Sequence, residues 1–261
     1  MPEAAELLRT DDVPCRQSVQ SAMWWLVAIA YGVANIIFHE QVNQIFEWLA
    51  KVMGISLFLW SMRLSAVAGG VVVLALRRKF LKEPGALKRV LIFVSLGMAL
   101  DLSLVIYASE RIHYPQYAIL TWIAYKAIGA PVPAALFSFV FGYIDEAYQH
   151  WVLYAKQSIA YFDWNDIVLN LLGALSALVL MPRETLQHVR YKKMTAAAIS
   201  WILLMGALVF LLKPDRVLMR AHSDTSFWLT SNIKTHYHVL NTLEGTILLG
   251  LIWIIAIEMI G

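Results

Sequence analysis

Eight polar side chains stand out against a largely apolar sequence: Glu110, His113, Asp145, Glu146, Gln149, Asp163, Asp166 and Asn170. They are the types that move protons, hold cations and build hydrogen-bond networks: an imidazole that titrates near neutrality, carboxylates, and amides that both donate and accept. Their spacing is helical. Asp145 and Gln149 are i,i+4, Glu146 and Gln149 are i,i+3, and Asp166, Asn170 and Gly173 fall at i, i+4 and i+7, so each set forms one stripe along a helix. Gly173 would let a neighbouring helix approach closely below the polar groups.

Several chemistries suit these residues. His113 with Glu110, Asp145 or Glu146 makes a general acid/base pair, the candidate catalytic set, and Gln149, Asp166, Asn170 and Lys156 are candidate substrate-binding groups. The same residues, Gln149 and Asn170 above all, could instead be interhelical glue with no chemistry. His113 with Glu110, Asp145, Glu146 and Asp166 also offers oxygen ligands and one imidazole, a set suited to Mg²⁺, Mn²⁺ or Zn²⁺. No His-x-x-x-His array accompanies it and Glu-x-x-His occurs only once, at Glu110-x-x-His113, so the sequence assigns no metal, and it names no cofactor. His39, His150, His222, His236, His238 and Glu244 add ligand types nearby, and His236-x-His238 could chelate, although solvation is the ordinary state of loop histidines. A Gly-x-Ser-x-Gly elbow, a phosphate-cradling glycine loop and a Cys/His pair are all missing, which removes the usual hydrolase and nucleotide-driven mechanisms.

The elements that position these groups are membrane helices. Of 261 residues, 60% are hydrophobic and only 15% charged, with mean hydropathy +0.63; a soluble domain carries roughly 25% charged residues. The apolar residues come in blocks: Ala22–Phe38, Gly54–Leu76, Val90–Tyr107, Ile112–Ile128, Val132–Tyr148, Ile167–Met181, Thr195–Leu212 and Gly245–Ile260. Each is near the ~20 residues that span hydrocarbon, which predicts an all-α bundle of about eight transmembrane helices. Pro131 and Pro133, after Gly129, divide a long apolar run into two spans, because proline cannot continue one helix but suits the first turn of the next. Gln41–Met53 reads as a short interfacial helix, with Ile45, Phe46, Trp48, Leu49 and Val52 around Glu47 and Lys51.

Lysine and arginine set the orientation. Arg77, Arg78, Lys79, Lys82, Lys88 and Arg89 flank one connection, and Arg183, Arg190, Lys192 and Lys193 flank another an even number of spans away, so both lie on the cytoplasmic side with the two termini. Residues 1–21 form a polar cytoplasmic tail, and no cleavable signal peptide is expected in them. The segment 213–243, with Lys213, Arg216, Arg220 and Lys234, weakens the bias without reversing it. The net charge of +3 is dispersed beside apolar blocks, which argues against a nucleic-acid surface, and the single cysteine, Cys15, cannot form an internal disulfide or a Cys-based metal cluster.

In this topology all eight polar residues fall at one membrane level, the outer face, where an unpaired carboxylate near hydrocarbon costs on the order of 2.5–3.5 kcal/mol. Such groups face a bundle interior, a watery recess or one another, and several carboxylates together demand protons or cations. Two further charges, Arg63 and Asp101, lie well inside predicted spans, and a buried Arg63–Asp101 pair is the expected solution. Lys126 is near a span end and can snorkel.

Read in order, the polar residues resemble the VanZ-like family of bacterial membrane proteins. Glu110-x-x-His113-x-x-x-Tyr117, Asp145-Glu146-x-x-Gln149 and Asp166-x-x-x-Asn170-x-x-Gly173 correspond to three elements of that family in the same order, over residues 90–182. The chain departs from it at Pro115 and at Lys156-Gln157-Ser158, where the family generally has an arginine and a serine nearer the third element; a lysine point charge does not replace an arginine fork. Residues 1–88 and 183–261 find no counterpart. The resemblance implies a single multi-pass domain in the bacterial inner membrane, in a family whose founding members are associated with low-level glycopeptide resistance. Its partners would be membrane lipids and a lipid-linked or glycopeptide-type amphiphile bound or modified at the outer face. The rival from another class is a non-catalytic accessory subunit packing against partner membrane proteins; a transporter is less favoured, since no inverted repeat is visible.

Overall fold

The computed structural model describes residues 12–76, 78, 80–105, 108–155, 162–181, 191–212 and 240–260. Among the described residues the protein is helical without strands. The helices are α1 (Asp12–Ile37), α2 (His39–Met53), α3 (Ile55–Leu76), α4 (Ala86–Leu104), α5 (His113–Ile128), α6 (Pro131–Tyr148), α7 (Trp164–Val179), α8 (Tyr191–Leu212) and α9 (Thr242–Ile260). All eight apolar blocks of the sequence coincide with a helix, and the short amphipathic segment before Met53 is α2. The second half of the polar tail is helical too, since α1 starts at Asp12.

Where helices stop follows from local chemistry. Gly129 ends α5 in the left-handed region (φ +74°), its N–H donating to the Tyr125 carbonyl, and Pro131 opens α6 where a missing N–H costs nothing. Gly54, also at positive φ (+78°) but with extended ψ, separates α2 from α3. At the start of α9 a capping box forms: the Asn241 N–H donates to Glu244 Oε2, and the Glu244 N–H to Asn241 Oδ1, both at 2.9 Å.

Helix α7 occupies the centre. It is buried on all sides from Trp164 to Leu175, packed by α5 and α6, with α4 and α9 completing the ring. Apart from its stripe of Asn165, Asp166 and Asn170, α7 is apolar, and a helix apolar on most faces is suited to such a position. Large side chains on α1, α3, α4, α8 and α9 point outward instead, among them Leu26, Leu64, Met98, Leu211 and Leu251. In water so much exposed apolar surface would be a defect; against acyl chains it is an ordinary outer face. Among the described residues three stretches are long and apolar enough, by length and composition, to cross a membrane: Val19–Ile37, Ile55–Val72 and Met194–Leu211.

Asp101 and Arg63 do not pair with each other. Arg111, in the turn Ala108–Ile112, grips Asp101 side-on with one edge of its guanidinium: Nε donates to Oδ1 and Oδ2 at 2.9 and 3.1 Å, and Nη2 to Oδ2 at 2.7 Å. Arg63 instead lies exposed over the Trp60 ring, 5.2 Å from its centroid. The reason is reach: the chain reverses after α4 and brings Arg111 back beside Asp101, whereas α3 packs chiefly on α2. Replacing Asp101 by asparagine should therefore destabilise the protein by about 1 kcal/mol, a two-toothed bond discounted for partial solvation. Arg63→Ala should leave thermal unfolding in detergent unchanged; the opposite order of effects would restore the Arg63 pairing.

Candidate functional site

The ends of three helices meet at the polar cluster. His113 is the first residue of α5, Glu146 is in the last turn of α6, and Asp166 is in the first turn of α7. One ligand atom from each lies within 4.8 Å of the other two. His113 Nε2 stands 3.6 Å from Asp166 Oδ2. Glycines bring the helices this close. A Cβ on Gly173 would come within 2.6 Å of the His113 carbonyl oxygen, and one on Gly142 within 2.8 Å of the Asn170 side chain.

Neighbours fix the carboxylates. Tyr117 Oη donates to Asp145 Oδ2 at 3.1 Å, and Gln149 Nε2 donates to Glu146 Oε1 at 2.9 Å. Asn170 Nδ2 reaches the Gly142 carbonyl at 3.4 Å, tying α7 to α6. Asp163 caps α7, its Oδ1 accepting from the N–H groups of Asn165 and Asp166 at 3.0 and 3.4 Å. Burial pushes the Asp163 carboxyl up to about 6, against the lowering pull of those two N–H groups and of His113. Glu110, in the turn Ala108–Ile112, is buried close enough to act electrostatically on His113 but stands outside the triad.

The cluster is enclosed. Asp145 and Asn170 are wholly buried and His113 and Glu146 nearly so, while the side chains of Asp166 (11%) and His39 (12%) keep some access, as Glu110, Gln149 and Asp163 do to a small degree. His39, the first residue of α2, stacks on His113 with ring centroids 6.3 Å apart, its Nδ1 3.8 Å from Asp145 Oδ1. Glu40 accepts a 2.6 Å bond from Tyr154, whose hydroxyl is held above its usual range by burial and then by that bond. The amphipathic helix α2 is thereby anchored by its first turn over the cluster.

Most of the residues expected at one level lie together: His113, Asp145, Glu146, Gln149, Asp166 and Asn170 converge, with Glu110 and Asp163 beside them. Lys156, His222, His236 and His238 lie outside the described residues. His150 is buried in the single π-helical turn after α6 against Trp151 and Phe162, on the apolar side of the junction. Lys126 lies over the Trp122 ring, in keeping with a span-end lysine.

Two contributors are not evident from spacing. His39 joins only because α2 folds back over the junction. Asn165 bonds the Leu104 carbonyl through Nδ2 and the Leu240 N–H through Oδ1, both at 3.0 Å, so it ties α7 to the end of α4 and the approach to α9. Its one signal in the sequence is an amide standing between two aspartates at the start of an apolar block.

No family profile, curated protein or solved structure matches the chain.

Proposed function

We propose that the protein is a multi-pass envelope membrane protein, similar to the VanZ-like family, with about eight spans and cytoplasmic termini in a bacterial inner membrane. Its cluster binds the head group of a lipid-linked or glycopeptide-type amphiphile at the outer face. The observation that supports this reading best is the convergence of His113, Glu146 and Asp166 from three helix ends, with access left at Asp166 and His39. Helices α5 and α7, at 16 residues each, run about 24 Å at 1.5 Å rise per residue, against hydrocarbon about 30 Å thick. Their polar first turns would therefore sit inset below the surface, at the depth where a head group meets its acyl chains. Carboxylates and an imidazole fixed in this way favour ligands rich in hydroxyl or amino donors. If the ligand is also modified, His113 is the proton carrier, and Asp145 and Glu146, oriented by Tyr117 and Gln149, are its partners.

Purification in mild detergent followed by mass spectrometry of everything that leaves with the chain tests this. One lipid or glycolipid class should co-purify, and Glu146→Gln should retain about tenfold less of it, the loss expected for one charge-assisted hydrogen bond. A stoichiometric protein partner with no enriched lipid would overturn the reading in favour of an accessory subunit, and so would a lipid retained equally by Glu146→Gln.

A further inference from the structure

We propose that His113, Glu146 and Asp166 form a site for one divalent transition-metal ion at the junction of α5, α6 and α7. Three protein donors, one imidazole and two carboxylates, already face one another within 4.8 Å. Metal bonds of about 2.0–2.2 Å place tetrahedral donors about 3.3–3.6 Å apart. The 3.6 Å between His113 Nε2 and Asp166 Oδ2 is near that spacing, and side-chain shifts of about an ångström would close the rest.

Charge supplies the second argument. Among the described residues no lysine or arginine lies within ion-pair distance of Asp145, Glu146 or Asp166; their ionic neighbours are His39 and His113. Asp166 Oδ1 and Asp145 Oδ1 are buried and accept no hydrogen bond from the described residues, in residues only 8% and 0% exposed. Buried carboxylates are stable when paired, protonated or bound to a metal. A dication answers both oxygen-ligand charges at once, with neutral His113 as the third donor. The mixed donor set indicates the ion: an imidazole favours Zn²⁺ or Mn²⁺ over Ca²⁺ and Mg²⁺, whose ligands are oxygens.

The outer ring of contacts suits such a centre. Gln149 orients Glu146, and Asp145, held by Tyr117, adds negative charge beside the triad. Three protein ligands leave a coordination position for an oxygen donor, and the remaining access at Asp166 and His39 is where a head-group hydroxyl or phosphate oxygen would reach it. The metal site deepens the function proposed above and rests on that reading only for this last role. Metal content and lipid content are measured separately, so either can fail alone.

The test uses the full chain, purified in mild detergent without a polyhistidine tag, stripped with EDTA and then titrated with ZnCl₂ or MnCl₂. Elemental analysis should give one ion per chain, and the chelator should lower the melting temperature, with recovery on adding metal back. Glu146→Gln and Asp166→Asn should each weaken binding by tenfold or more, and Gln149→Leu, which keeps all three ligands, by about tenfold. Co²⁺ in place of the native ion should show visible absorption that His113→Gln abolishes. Wild-type protein that takes up no ion and does not respond to EDTA overturns the proposal, as does stoichiometric metal retained by the Glu146→Gln, Asp166→Asn double variant.

Discussion

Replacing Gly173 by alanine should lower the melting temperature of the detergent-solubilised protein by several degrees, and replacing it by leucine should leave no folded protein to purify. The atoms a new Cβ meets are the backbone carbonyl oxygens of His113 at 2.6 Å and Tyr114 at 2.8 Å, which cannot rotate away as a side chain could. Relief requires α5 and α7 to separate. Because α7 is buried on every side, the shift passes into α6 and α9 as well. Overpacking of this kind costs about 1–3 kcal/mol for one methyl group, and about 2–4 °C of melting temperature accompanies each kcal/mol in a chain of this size. The separation also pulls His113 away from Asp166, so ligand and metal retention should fall together with stability. Gly97→Ala is the matched control: its Cβ would have nothing within 4 Å, and alanine is the better helix former, so that variant should be neutral or slightly stabilised. Equal melting temperatures for the two alanine variants would refute the close approach of α5 and α7.

The parts of this architecture that could be read from the sequence are those governed by local chemistry. Gly129 and Pro131 divide α5 from α6 because one accepts positive φ and the other lacks an N–H, and neither property depends on the rest of the fold. The polar stripes on α6 and α7 were visible because i,i+4 spacing persists wherever the helix is placed. The burial of α7 on its other faces was not visible: lipid tails are as apolar as leucine, so Val168, Leu169, Leu171, Leu172 and Leu175 would look the same facing acyl chains or other helices. The partner of Asp101 is hidden from the sequence for a related reason. Depth within a span suggested Arg63, but the reversal after α4 decides the contact and selects Arg111, ten residues on. His39 reaches the cluster through the fold-back of α2, again a tertiary event that spacing does not encode.

Asn165→Leu should be among the most destabilising single substitutions outside the cluster, costing about 2–6 kcal/mol, although the two side chains are close in size. The amide satisfies two backbone groups that no helix can serve. The Leu104 carbonyl belongs to the last turn of α4, where carbonyls have no partner within their own helix, and the Leu240 N–H lies just before α9 begins. Both residues are buried, at 1% and 5% exposure, so water cannot replace the lost bonds. Leucine would leave one donor and one acceptor unpaired, at about 1–3 kcal/mol each. Ser176→Ala separates this effect from the loss of a part-buried hydroxyl bond as such. Ser176 Oγ donates to the Gly173 carbonyl within its own helix, and that carbonyl can keep its helical partner when the hydroxyl is removed, so the variant should lose under about 1 kcal/mol. Thermal unfolding followed by tryptophan fluorescence measures both. A small effect at Asn165 would mean that α4 and the approach to α9 are not fastened to α7 through its amide, and that the polar junction owes its position to the glycine contacts alone.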